Sequence, residues 1–109
     1  MKLEKQQKSV KKKPTKQTKK KSGIRIASEI HILLGPNLNM LGFADIEALG
    51  SETLEELEKR LVLETRELNS RLKLHFFQTN YEGQILEYIQ GLAFKAGRTG
   101  DIAGVIVNP

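Results

Sequence analysis

The chain has 109 residues, no Cys, no Trp and a net charge of +5. The absence of Cys excludes disulfides and thiolate chemistry. No apolar run approaches the roughly 18 residues of a membrane helix or forms the core of a secretion signal, and these features predict a soluble, cytoplasmic protein.

The charge is unevenly spread. Residues 1–22 hold ten Lys and one Glu, which is +9, so the remainder carries −4. This segment has almost no apolar side chains and a Pro at position 14. It cannot bury enough surface to offset the entropy of ordering, so residues 1–23 are expected to be a disordered tail. Such a tail suits nucleic-acid phosphates or an import signal. It has no aromatics to stack on bases, and a solvated basic extension without a specific partner is the plainer reading. Residues 24–109 are expected to form the folded part.

Ile24-Arg25-Ile26-Ala27 allows a short alternating segment. Residues 30–34, IHILL, are nearly all apolar, as in a strand covered on both faces. Gly35-Pro36-Asn37 follows, then Leu38-Asn39-Met40-Leu41-Gly42. Gly35 permits unusual backbone angles, and Pro36 fixes its own φ and restricts its predecessor. Alone, the tripeptide is an ordinary turn. At the carboxyl end of a strand, Asn37 and Asn39 also offer amide donors and acceptors where open α/β sheets place ligands.

Residues 53–68 form a helix. Thr53 and Glu56 make a capping box, and Leu54, Leu57, Leu61 and Leu68 fall on one stripe. Glu55/Lys59 and Glu56/Arg60 are i,i+4 pairs with the acid first. Leu72–Phe77 reads as a second strand. A second helix begins after Asn80, with Ile85, Ile89, Leu92 and Ala96 facing inward and Gly97 as its C-cap. Residues 98–101 are a polar turn, and 102–107 a third strand. The order β-α-β-α-β predicts an α/β fold with a parallel sheet and right-handed crossovers, the first half of a flavodoxin-like doubly wound fold. One sheet edge is then left bare.

Four segments together resemble the type II 3-dehydroquinate dehydratases. Leu33-Leu34-Gly35-Pro36-Asn37-Leu38-Asn39-Met40-Leu41-Gly42 is similar to the family's first strand and loop. Gly50-Ser51-Glu52-Thr53-Leu54 resembles its Tyr-Gly-Ser-x-Thr-Leu, without the Tyr. Phe76-Phe77-Gln78-Thr79-Asn80-Tyr81-Glu82-Gly83 and Gly104-Val105-Ile106-Val107-Asn108-Pro109 resemble two later segments. The resemblance covers residues 30–109 and implies the flavodoxin-like fold.

The resemblance implies anti elimination of water from 3-dehydroquinate to 3-dehydroshikimate, in the shikimate or quinate pathway, with no metal and no cofactor. A tyrosinate takes the proton beside the ketone, and an Arg lowers that Tyr's pKa. An Asn holds a water that stabilises the enolate, a later His is the general acid, and another Asn binds substrate. Carried over, Asn37 matches the enolate-stabilising position and Asn108 the substrate-binding one. The family's mobile loop reads Leu-Gly-Thr-Arg-Glu-Pro-x-x-Tyr-Gly, whereas this chain has Leu41-Gly42-Phe43-Ala44-Asp45-Ile46-Glu47-Ala48-Leu49-Gly50. Ala44 replaces the Arg and Leu49 the Tyr base. Tyr81 and Tyr88 stand elsewhere. His31 lies in a strand run and His75 reads as a satisfied sheet residue. Asp45 and Glu47 read as solvent-facing acids.

Three functions are compatible with this pattern. The chain is the amino-terminal part of such a lyase, a fragment that is inactive as written. Alternatively it is a non-catalytic relative that acts as a binding or oligomer-partner module, since the family assembles from trimers. The third is nucleic-acid binding through residues 1–22. The chain's end at Asn108-Pro109, where the family's next loop begins, favours the fragment.

Overall fold

The computed structural model describes residues 26–109. The Lys-rich tail, and the start of the alternating segment at Ile24-Arg25, lie outside the described residues. In chain order the elements are β1 (Glu29–Leu34), a 3-10 turn (Leu38–Met40), the single-turn α1 (Ile46–Leu49), α2 (Leu54–Leu68), β2 (Lys73–Gln78), α3 (Glu82–Thr99) and β3 (Ile102–Asn108).

The three strands are parallel in the order β2-β1-β3. β1 is central, paired on both edges, and is the most buried strand. His31, Ile32, Leu33 and Leu34 are buried, Leu33 completely. One face of the sheet carries Glu29, His31, Leu33, His75 and Phe77, and α3 lies over it: Tyr88 stacks on Phe77 and Lys95 reaches Glu29. The other face carries Leu74 and Phe76, which line a groove with Val62 and Leu63 of α2. Helices on opposite faces are what right-handed crossovers give when the chain first moves to one side of β1 and then back past it.

α2 begins as its sequence requires. Thr53 Oγ1 accepts from the Glu56 amide at 3.1 Å, and Glu56 Oε1 accepts from the Thr53 amide at 3.0 Å. That closed box is worth about 1 kcal/mol. It also occupies Glu56, so the expected Glu56/Arg60 pair does not form. Arg60 instead holds both carboxylate oxygens of Glu52, at 2.9 and 3.0 Å, and lies 3.6 Å from Glu64. No ion pair joins Glu55 to Lys59 among the described residues. Leu68 is 87% exposed and lies off the packed stripe.

α3 is rotated from the expected stripe. Ile85 and Leu92 are buried, but Ile89 and Ala96 are exposed. Tyr88 and Lys95 take the intermediate positions, because each has a polar tip that finds a partner on β1. The helix also runs through Gly97 to Thr99. Gly100 is the left-handed cap at φ 71°, and its amide donates to Ala96 O at 3.3 Å. Thr99 accounts for the extra turn: its hydroxyl donates to Lys95 O and accepts from the Asp101 amide, both at 3.1 Å.

β3 is an edge strand, and Val105, Ile106 and Val107 are 42%, 56% and 43% exposed. The bare edge expected from three strands is therefore present.

Candidate functional site

The strand register aligns Leu34 with Gln78 on one side and with Asn108 on the other, so all three carboxyl ends meet at one edge. β1 lies between neighbours reached in opposite directions, which makes this edge a topological switch point, where α/β sheets bind ligands.

Gly35-Pro36-Asn37-Leu38 folds over that edge as a turn. The Leu38 amide donates to Gly35 O at 3.4 Å, Pro36 occupies the second position, and Asn37 takes left-handed angles, φ 72° and ψ −4°. That is a type II turn, whose third position favours Gly or Asn. Gly35 has a separate reason to be Gly. Its amide donates to Asn108 O at 2.8 Å, and a Cβ there would lie 2.6 Å from the Pro109 carbonyl carbon. The turn of β1 is thus seated on the end of β3.

The end of β2 holds the turn from the other side. Asn80 Oδ1 accepts from the Asn37 amide at 2.9 Å and from Gln78 Nε2 at 3.2 Å; Gln78 Nε2 also donates to Gly35 O at 3.1 Å. Gln78 and Asn80 stand in one of the quoted segments, yet residue-level reading assigned them no role. Their signal was that a strand ending in two amides faces another strand end with two amides. Below them, the Thr79 hydroxyl is buried and donates to Gln84 Oε1.

Asn37 and Asn108 are brought to this one edge, and both are exposed. The edge contains four amide side chains: Asn37, Gln78, Asn80 and Asn108. Amides orient carbonyls and hydroxyls but cannot exchange protons near neutral pH. A proton acceptor must therefore come from another segment.

In the loop after the turn, residues 43–50, the ionisable side chains are Asp45 and Glu47, both exposed. Gly42, at φ 85°, is pressed against Ser51 and Thr53, which closes residues 43–50 into a flap. Leu49 lies on α1 and is 61% exposed, beside exposed Phe43 and Ile46. Ala44 is half-buried. Tyr81 is 69% exposed at the start of α3, and Tyr88 packs beneath that helix.

A second polar cluster sits on the α3 face of the sheet. His31 is 5% exposed; its Nδ1 lies 2.8 Å from the Tyr88 hydroxyl and its Nε2 3.0 Å from Glu29 Oε1. His75, the register partner of His31, stacks on it with ring centroids 4.6 Å apart and an interplanar angle of 12°. Lys95 Nζ contacts both Glu29 oxygens at 2.9 and 3.1 Å. The hydrogen bonds from Lys95 and then His31 hold the Glu29 carboxyl at a pKa of about 2. Burial raises the Tyr88 hydroxyl. His31 is therefore a satisfied core residue, whereas His75 is exposed and contacts the cluster through ring stacking. Sequence reading left the two His unconnected, because only strand register places positions 31 and 75 side by side.

Known proteins resemble this chain in sequence and fold. The family model Dehydroquinase class II matches residues 28–109. A 3-dehydroquinate dehydratase of Bartonella henselae is 44% identical over 82 residues, covering 73% of this chain and 49% of the relative. One from Helicobacter acinonychis is 37% identical over 81 residues, covering 74% and 45%. Among solved structures, the type II dehydroquinase of Propionibacterium acnes superposes with a TM-score of 0.63 at 29% identity, covering 79% of this chain and 54% of that one. That of Butyrivibrio crossotus gives 0.60 at 30%, covering 76% and 52%. The chain spans about half the length of the curated relatives it matches. With its α/β fold and the doubly wound strand order, the chain belongs to the class II dehydroquinase family.

Proposed function

We propose that this chain carries the amino-terminal, substrate-orienting half of a type II 3-dehydroquinate dehydratase site, and that as written it does not turn over substrate. The observation behind this reading is the carboxyl edge, where Asn37 and Asn108 flank the seated Gly35 turn. In the elimination, Asn37 holds the water that stabilises the enolate, and Asn108 binds a hydroxyl or carbonyl of 3-dehydroquinate. Both tasks need only hydrogen bonds from amide side chains, and this edge fixes the backbone of both residues through the Asn37 N–Asn80 and Gly35 N–Asn108 O contacts.

The proton-transfer step lacks its groups. Abstraction beside the ketone requires a base that is ionised near the working pH, which for a Tyr means an anion stabilised by a nearby positive charge. Leu49 has no ionisable group, and Ala44 supplies no positive charge to lower a neighbour's pKa. The reaction class remains that of a cytoplasmic hydro-lyase in the shikimate or quinate pathway, needing no cofactor, with this chain as a fragment or degenerate member. Residues 1–22 are rich in Lys and lie outside the described residues.

The test is direct. Elimination gives a conjugated enone, whose ultraviolet absorbance reports turnover. Purified chain should give no signal above the uncatalysed rate, while 3-dehydroquinate should perturb the Asn37 and Asn108 side-chain amide resonances. Clear turnover refutes the inactive reading. Absence of any perturbation refutes substrate binding at this edge.

A second reading is favoured by the apolar surface of β3. Val105, Ile106 and Val107 are exposed on an edge whose outer backbone groups are unpaired. That surface suits a non-catalytic module that joins a trimer-based family oligomer or another partner. Nucleic-acid binding rests on residues 1–22 alone, and binding that vanishes at modest salt would reduce it to nonspecific charge.

A further inference from the structure

The geometry points to a divalent zinc-type metal site built from Glu29, His31 and His75 on the α3 face of the sheet. One ligand atom from each lies within 4.8 Å of the others. These are the only two His in the chain. They are 44 positions apart in sequence, and register makes them direct neighbours on β1 and β2. Glu29 stands two residues before His31 and so shares its face of the strand.

The donor set selects the metal. Two imidazoles and a carboxylate suit Zn2+ and its first-row neighbours rather than Mg2+ or Ca2+, which prefer oxygen alone. Tetrahedral zinc with bonds of about 2.0–2.2 Å holds its donors roughly 3.3 Å apart. His31 Nε2 and Glu29 Oε1 are already 3.0 Å apart. His75 has to turn out of its stack on His31 and close in, and it is an exposed side chain on an edge strand. Three protein ligands leave a fourth position open to water.

The surroundings supply an outer partner and a competitor. Tyr88 Oη sits 2.8 Å from His31 Nδ1. Without metal, the contacts fit the tautomer in which His31 Nε2–H donates to Glu29 and Nδ1 accepts from the Tyr88 hydroxyl. With metal, Nε2 binds it through its lone pair, the ring proton sits on Nδ1, and Tyr88 Oη accepts the hydrogen bond from Nδ1–H. This is the common arrangement by which a second hydrogen bond orients a ligating His. Lys95 opposes the metal, because its ammonium holds both Glu29 oxygens. It is 36% exposed along its side chain and can swing into solvent.

The experiment is calorimetric titration of the full chain with Zn2+ at neutral pH, followed by Co2+ absorbance. One equivalent should bind with a micromolar or tighter Kd, and Co2+ should give the intense visible bands of a tetrahedral site. His75→Ala, at an exposed position, should weaken binding at least tenfold. Lys95→Met should tighten it several-fold by removing the competing cation. Tyr88→Phe should weaken it about tenfold. No saturable binding by the wild type, binding unaffected by His75→Ala, or no gain in Lys95→Met would each overturn the site.

Discussion

The amide of Asn37 donates to the side-chain oxygen of Asn80 across 43 positions, at 2.9 Å. Asn80 Oδ1 also accepts from Gln78 Nε2. Both partners are donors, so the Asn80 amide orientation is fixed by its network. The prediction separates acceptor from amide. Asn80→Asp keeps two acceptor oxygens and should leave stability within about 0.5 kcal/mol of wild type. Asn80→Leu leaves the Asn37 amide and Gln78 without this acceptor and should cost about 1–2 kcal/mol. Urea unfolding of both variants checks the contrast.

Two glycines should respond in opposite directions. Gly35→Ala drives a Cβ to 2.6 Å from the Pro109 backbone, and neither strand end can yield cheaply. A loss of about 2 kcal/mol or more is expected, as for overpacking. Gly91→Ala lies inside α3 with nothing within 4 Å of its added Cβ. It should gain about 0.5–1 kcal/mol from helix propensity. Thermal unfolding of the pair is the measurement, and equal effects would show the strand-end contact to be slack.

Glu58 gives a pH dependence of unusual sign. Burial against the groove of Leu74 and Phe76, and then the neighbouring charge of Glu55, raise its pKa above the ordinary 4.5. The folded state therefore holds the proton more tightly than the unfolded chain. Its charged form costs stability at neutral pH, and that cost disappears as pH falls through the raised folded value to the unfolded one. Glu58→Gln should be stabilising at pH 7 and neutral below about pH 4. Denaturant midpoints at both pH values decide it.

The β3 edge should self-associate. Val105, Ile106 and Val107 are exposed beside unpaired backbone groups. Sedimentation should show mass rising with concentration, and Ile106→Lys should reduce that rise, because edge charges block strand addition. No difference between the two proteins would place association elsewhere.

Local signals were legible where local chemistry decides the outcome. The Thr53–Glu56 box, the apolar run of β1 and the Gly-Pro-Asn turn each depend on residues a few positions apart, and each stands where its pattern put it. The sequence points to Gly97 as the cap and to Gly100 as part of a polar turn, whereas the helix runs on to a cap at Gly100. The choice between them rests on Thr99, whose hydroxyl closes the last turn and the following amide together. The α3 stripe was misread at Ile89 and Ala96, because apolar periodicity gives no weight to Tyr88 or Lys95. Their polar tips meet His31 and Glu29 only once α3 lies on the sheet. The Asn37–Asn80 and His31–His75 pairings depend on strand register, which no single segment encodes.

The seating of Gly35 on Pro109 also orders the assembly of the molecule in time. β1 can recruit β2 once a loop of about 44 residues closes, but β3 requires about 74, a slightly larger entropic penalty. During synthesis the turn at residues 35–38 is made early, yet its inner surface is not clamped until positions 108 and 109 have left the ribosome. The amide-lined edge therefore becomes rigid only after β3 has been made, although its first residues are made about 70 positions earlier.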